Sequence, residues 1–237
     1  MRIAYRNLGL IDYKSAWDLQ EKLLLENVSI KMEARREDRN FPADSITTTH
    51  HLLFCEHPAV YTLGKSGNIS NVLINEEERE QKGIEFFNTN RGGDITFHGP
   101  GQVVGYPILD LEKYYTDIGR YLRNLEEVVI RVMAEYGLKG ERSAGETGVW
   151  LDVGQMGKER KICAMGVRCS RWITMHGFAF NVNTDLGYFN HIIPCGINNK
   201  AVTSLEKELG TKVSMDEARE KLKRNFEFVF TCMLEDD

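Results

Sequence analysis

Apolar residues recur at three- and four-residue spacing along positions 12–37, where Leu19, Leu23, Leu24, Val28 and Met32 alternate with charged residues. That period predicts a helix with one buried stripe. The mixed charges from Lys31 to Arg39 read as its solvated end and a following loop. A stronger period runs over 118–138 through Leu122, Leu125, Val128, Val129 and Val132, and stops at Gly140. A last helix is predicted over 214–233, with Ser214 as N-cap and Glu217 three residues on. Between them lie short apolar runs that predict strands at 51–55, 60–63, 84–88, 102–111, 147–153, 161–169 and 173–182, punctuated by residues such as Pro58 and Gly64. Strict βαβ alternation is absent. The pattern therefore predicts an α/β fold of the α+β type, a mixed and largely antiparallel sheet flanked by helices.

Composition narrows the function classes. The 237 residues carry no repeat, low-complexity tract or linker, so one domain over 1–237 is expected, with length enough for a real core. Aromatic residues make up 10% of the chain, which excludes disorder as the main state. No apolar run approaches the roughly 18 residues that span a bilayer. A net charge of −5 argues against a general nucleic-acid binder. The five cysteines, Cys55, Cys163, Cys169, Cys195 and Cys232, are odd in number and form no CxxC. Together with an N-terminus lacking the apolar core of a secretory signal, this predicts a reduced, cytoplasmic protein without a disulfide framework or zinc ribbon.

Three segments could carry chemistry. The first, 91–102, packs four glycines and a proline around Arg91 and His98, a loop whose backbone N–H groups can approach a ligand. No Gly-Lys-Ser/Thr follows, so it is not a P-loop. A plain hairpin loop is an equal reading of that composition. The second is Pro194-Cys195-Gly196, a thiol beside an unobstructed N–H that could face an oxyanion. Alone it reads more simply as a buried cysteine in a turn. The third is the strand opened by Lys161. A cation near a thiol raises the thiolate fraction, and a partly desolvated lysine can take and return protons. His98 and His176 are possible partners for Cys195, and spacing leaves both open. His50, His51, His57 and His191 have no partner at metal-ligand spacing, so no metal is expected.

Taken together, the blocks carry a resemblance. Arg91-Gly92-Gly93-x-x-Thr96-Phe97-His98-Gly99-Pro100-Gly101-Gln102 is similar to the signature of the lipoyl(octanoyl) transferase family. Thr147-Gly148-Val149-Trp150, then Lys161-Ile162-x-Ala164-x-Gly166-Val167-Arg168, follow in family order. His176-Gly177-Phe178-Ala179-x-Asn181-Val182-Asn183, Pro194-Cys195-Gly196-Ile197 and Val202-Thr203-Ser204-Leu205 complete the set. The resemblance covers about residues 50–205 and implies the fold of biotin and lipoate protein ligase catalytic domains. It implies an acyltransferase that moves octanoyl from acyl carrier protein to a lysine of lipoyl domains, without a cofactor. The acceptors would be the E2 subunits of 2-oxoacid dehydrogenases and the glycine cleavage H protein. No nucleic acid or membrane is a partner. It assigns Cys195 as the acylated nucleophile and Lys161 as its acid/base partner. It assigns Arg91, Gly92, Gly93, Asp94, Ile95, Thr96, Phe97, His98, Ala164, Met165, Gly166, Gly177, Phe178 and Ala179 to the acyl substrate. Cys163 departs from the pattern, standing where the family usually has Ala. Both it and Cys169 are expected to be packing residues.

The rival readings are an ATP-dependent lipoate or biotin ligase, a Cys-dependent thioesterase or peptidase, and a lipoyl-domain or carrier-protein binding module. Acidic partners of an acidic enzyme also suggest a basic patch at the site mouth, drawn from Arg91, Arg168, Arg171 and either Arg120 or Arg123.

Overall fold

The protein is described by a computed structural model that covers residues 1–38, 41–194 and 201–237. The chain opens with β1 (Arg2–Leu10) and α1 (Tyr13–Glu37), followed by β2 (His51–Glu56), β3 (Val60–Leu63), α2 (Glu76–Gln81), β4 (Glu85–Asn88), β5 (Ile95–His98) and β6 (Gln102–Ile108). Next come α3 (Ile118–Glu135), β7 (Val149–Leu151), β8 (Arg160–Ser170) and β9 (Ile173–Asn181). β10 (Ala201–Val202), α4 (Leu205–Leu209), α5 (Met215–Phe230) and β11 (Met233–Asp236) close it. Eight strands among the described residues form one sheet, in the order β10-β8-β9-β6-β2-β1-β11 with β7 on β8. β8, β9, β6 and β2 pair antiparallel; β1 pairs parallel with both β2 and β11. A smaller sheet runs β4-β3-β5. No helix among the described residues is long and apolar enough to cross a membrane.

The central strands are apolar on both faces because both faces are covered. Leu52 and Phe54 of β2, Val103 of β6 and Phe180 of β9 pack beneath Leu125, Val129 and Val132 of α3 and Leu222 and Phe226 of α5. The alternate residues Leu53, Cys55, Val104, Tyr106 and Ala179 meet Ala16, Leu23, Leu24 and Val28 of α1. Period-2 strands thus serve two helical layers at once.

The structure revises several sequence expectations. The buried stripe of α1 ends on Lys31, which is 1% exposed, while Met32 is exposed. Lys31 Nζ reaches Asp110 Oδ1 at 2.7 Å and Glu112 Oε2 at 2.9 Å, and Arg35 also binds Glu112. Lys31 and Arg35 are therefore an anchor to the segment after β6 rather than a solvated end. Residues 95–98, read as loop between glycines, form a strand because they pair with β3. β1 and β11 were not legible: one is a short run broken by Arg6, Asn7 and Gly9, the other an acidic tail, and β11 finds its partner only at the other end of the chain. α3 also ends earlier than its apolar period suggests, at Glu135.

Candidate active site

The glycine-rich block folds into a loop clamped from three sides. Gly92 N–H donates to Val167 O at 3.0 Å, Lys65 N–H to Arg91 O at 2.9 Å, and Ser66 N–H to Gly93 O at 3.2 Å. Asp94 holds the loop's exit through Asn68 N–H and Ile95 N–H. Arg91 is buried and turned inward, its guanidinium donating to Thr62 O at 2.5 Å and Thr62 Oγ1 at 2.9 Å. Beyond the loop, β5 alternates. Thr96 and His98 face a cavity, whereas Ile95 and Phe97 pack with Tyr61 and Ile192, and Phe97 stacks on Tyr188 at 4.5 Å.

That cavity is a narrow slot of about 40 Å³ between β5, β6, β8 and β9. Arg91, Gly93, Asp94, Thr96, His98, Ala164, Met165, Gly166, Gly177, Phe178 and Ala179 line it, as do Tyr13, Val104, Tyr106 and His176. Glycines keep it open. Gly166 faces Gly177 across β8 and β9, and a Cβ on Gly177 would lie 2.2 Å from Gly105 O. A smaller cavity, lined by Thr96, Ala164 and Ala179 as well, continues to Lys161, Asn181, Pro194 and Val202. An open cleft of about 530 Å³ meets the first cavity at Gly93, Asp94, Met165 and Gly166, and it too reaches Lys161. Its wall includes Gly92, Ile118, Leu122 and Val167.

Of the residues expected to contact substrate, Ile95 and Phe97 thus support the wall from behind, and Gly92 lies in the cleft. Tyr13, Val104 and Tyr106 were missed. Tyr106 sits in a predicted strand with no signal of its face, and Tyr13 reaches the cavity only through the docking of α1.

Lys161 is buried at the start of β8, opposite Trp150 on β7 and Val202 on β10. Its Nζ stands 4.5 Å from the Trp150 ring centroid, a cation–π distance. Gly148, with φ +116°, lets β8 lie close: a Cβ there would sit 2.4 Å from Cys163 O, in the strand that carries Lys161. Gly148 N–H is fixed at 3.0 Å by Glu126, a fully buried carboxylate also bound by Arg123 and Arg142. A buried chain joins the motifs. His98 Nδ1–H donates to Gln102 Oε1, Gln102 Nε2–H to Asn181 Oδ1, Asn181 Nδ2–H to Thr203 O, and Thr203 N–H to Lys161 O. Cys195 lies outside the described residues, directly after Pro194 of the small cavity. Cys163 is fully buried and burial pushes its thiol up; Cys169 is half-buried and shifted the same way.

The histidines are packed, not solvated. Burial lowers His57 to about 4 and His176 to about 3, and holds His98 well below its ordinary value. All three are neutral near pH 7. The expected basic patch is not assembled. Arg91 points inward, Arg168 binds Glu21 at 2.5 Å, Arg123 binds Glu126, and Arg120 stacks on Tyr115. Arg171 sits at the distant β8–β9 turn, beside Arg35 and Arg36.

Residues 12–227 match the family described as "Lipoyl protein ligase A/B catalytic domain". The octanoyltransferase of Christiangramia forsetii is 59% identical over 233 residues, covering 98% of this chain and 97% of its own. The bi-partite lipoate protein ligase of Thermoplasma acidophilum, described with its E2 lipoyl domain, superposes with a TM-score of 0.70 at 19% identity. That match covers 100% of this chain and 87% of the other. The biotin protein ligase of Aquifex aeolicus in complex with biotin and ATP gives 0.53 at 13% identity, covering 96% and 70%. These two structures establish the mixed-sheet fold alone. The chain belongs to the lipoyl protein ligase A/B catalytic domain family and, within it, to the octanoyltransferases, which are acyltransferases.

Proposed function

We propose that this chain, acting over 1–237 as one catalytic domain in the cytoplasm, moves an octanoyl group from acyl carrier protein to a lysine of a lipoyl domain through a thioester on Cys195. One observation carries the reading: the glycine-lined cavity shares Thr96, Ala164 and Ala179 with a smaller one lined by Lys161 and by Pro194, the residue before Cys195. The lipoyl domain described with the Thermoplasma ligase supports the acceptor class, and E2 subunits and the glycine cleavage H protein are the acceptors we assign. The pairing of β1 with β11 supports a single unit. The unpaired thiols of Cys55, Cys163, Cys169 and Cys232 support a reducing compartment.

The chemistry balances around two groups. The Cys195 thiolate attacks the carrier thioester, and the carrier thiolate leaves with a proton from the Lys161 ammonium. The acceptor lysine then attacks the acyl-enzyme. The Cys195 thiolate is expelled, and Lys161 takes the amine's proton, restoring the starting state. The Trp150 ring, 4.5 Å from Lys161 Nζ, helps to hold the side chain in place. Backbone N–H groups beside Cys195 and Gly166 are assigned to the oxyanion. Thioester to thioester is nearly isoenergetic and thioester to amide is downhill, so the sequence runs without ATP. At about 0.8 kcal/mol per buried CH₂, the chain's carbons contribute several kcal/mol of length selection.

The test is intact mass after mixing with octanoyl-acyl carrier protein. One hydroxylamine-labile octanoyl group is expected on wild type and absent in Cys195→Ser. Lys161→Ala should slow both loading and discharge. Addition of a lipoyl domain should move the group onto it. Lipoyl-domain modification only with ATP and free acid would give the case to a ligase, and hydrolysis without an acceptor to a thioesterase.

A further inference from the structure

Helix α3 buries a carboxylate in its apolar stripe. Glu126 is 0% exposed beside Leu125, Val128, Val129 and Val132. Taking a carboxylate out of water is costly, and well-packed apolar residues in place of a buried ion pair are often neutral or stabilising. Stability alone therefore does not call for Glu126 at this place.

Its two oxygens answer different groups. Oε1 accepts from Gly148 N–H at 3.0 Å. Oε2 accepts from Arg123 Nη1 at 2.7 Å and from Arg142 Nε at 3.1 Å. Arg142 Nη2 is tied to the same helix, at 2.7 Å to Glu127 Oε2 and 3.0 Å to Arg123 O. Strand β7 is thereby held at both sides. Gly148 is the residue before it, and Arg142 follows Glu141, which exchanges backbone hydrogen bonds with Trp150 at 2.8 and 2.9 Å.

The part held in this way is the frame of Lys161. Val149 pairs with Cys163 and Trp150 with Lys161, so Ile162 of β8 is extra between the two pairs. Such a bulge bends its strand and re-aims the side chains beside it. Here Lys161 is aimed at both the small cavity and the open cleft. Gly148 lies against Cys163 O on one side of the bulge, and the Trp150 ring against Lys161 Nζ on the other. β7 has only three residues with which to fix that register. The buried carboxylate supplies an anchor from outside the sheet.

We propose that Glu126 is a positioning residue for octanoyl transfer: acting through Gly148 and β7, its carboxylate sets the bulge that aims Lys161. This rests on Lys161 being the acid/base group, and it adds to the reaction a residue that lines none of the three cavities.

A double-mutant cycle with Lys161 tests it. Glu126→Met fills similar space and leaves Gly148 N–H unanswered. The readout is the single-turnover rate of enzyme loading from octanoyl-acyl carrier protein, followed by intact mass beside a thermal melt. Loading should slow about tenfold or more in Glu126→Met, as small misplacements of a reacting group do. KM for the lipoyl domain should change less than about threefold, because substrate contacts are kept. In the Lys161→Ala background the same substitution should slow loading by less than about twofold, since the group it aims is gone. The isosteric Glu126→Gln has one oxygen for three donors; it should show the same non-additive loss and carries the test if Glu126→Met does not fold. Undiminished loading in a folded Glu126 variant would overturn the proposal. So would an equal loss with and without Lys161, the mark of a purely structural role. Lys161→Ala loading as fast as wild type would remove the acid/base reading and the proposal with it, a failure seen before any Glu126 variant is made.

Discussion

At the scale of single residues, the position of Lys161 depends on a neighbour that has no side chain. Gly148 combines φ +116° with backbone oxygen 2.4 Å from where a Cβ would stand. Gly148→Ala must shift β7 or β8, and both carry Lys161 and the ring beneath it. We expect at least a tenfold fall in kcat for octanoyl transfer, with a KM change of less than threefold. Steady-state kinetics beside a thermal melt checks this; an unchanged kcat in a folded variant would remove Gly148 from the positioning of Lys161. Gly148 was legible as part of a motif. Its reason was not, because the clash is with Cys163 O from a strand fifteen residues away. Cys163 was expected to pack, and it is fully buried with its thiol pushed up by that burial.

At the scale of elements, the two ends of β8 obey different demands. Its start holds Lys161; its far end enters a two-residue turn in which Arg171 and Trp172 both have positive φ, 49° and 67°. Such turns favour Asn and Gly, since a Cβ in the left-handed region costs about 1–2 kcal/mol. Trp172 packs against the main core, but Arg171 is exposed. Arg171→Asn should therefore raise the melting temperature by a few degrees with transfer unchanged, and a lowered melting temperature would show that the arginine itself stabilises the turn. The opposite outcome is expected at α1. Lys31 and Asp110 are each 1% exposed and 2.7 Å apart. Lys31→Met leaves a buried carboxylate partly matched by Thr48 Oγ1 and Glu112 N–H. Removing one partner of such a pair costs about 3–5 kcal/mol, readable as a shifted urea midpoint. The helix itself was legible from its period, but the last member of its stripe was not. A lysine at a buried position looks like a surface residue until the strand that answers it, 79 positions on, is in place.

For the whole molecule, the central strands and long helices follow from local pattern, and the sheet edges do not. β2, β6, β8 and β9 are apolar runs that any partner would bury. β1 acquires its strand character from β2 on one side and β11 on the other, and β11 from β1. The same global packing sets the response to acid. Of the six histidines, His50, His51, His57, His98 and His176 are all pushed down, burial being the largest cause in each. In the unfolded chain each takes up a proton near pH 6.5, whereas His50 and His57 do so at about 4 in the native protein and His176 at about 3. Below pH 6.5 the unfolded state thus binds more protons, and stability falls with pH. Their contribution is fully present above about pH 6.5 and is lost progressively as pH falls toward and through about 4. Between pH 6.5 and 4.5 these groups dominate, since carboxylates titrate lower. Urea midpoints at half-unit steps should be flat above pH 7 and decline steadily from 6.5 to 4.5. The slope should correspond to more than one proton taken up on unfolding, because several sites act together. A midpoint that stays level across that interval would mean that the buried imidazoles are protonated in the native protein, and with them would go the neutral His98 and His176 on which the polar wall of the acyl cavity depends.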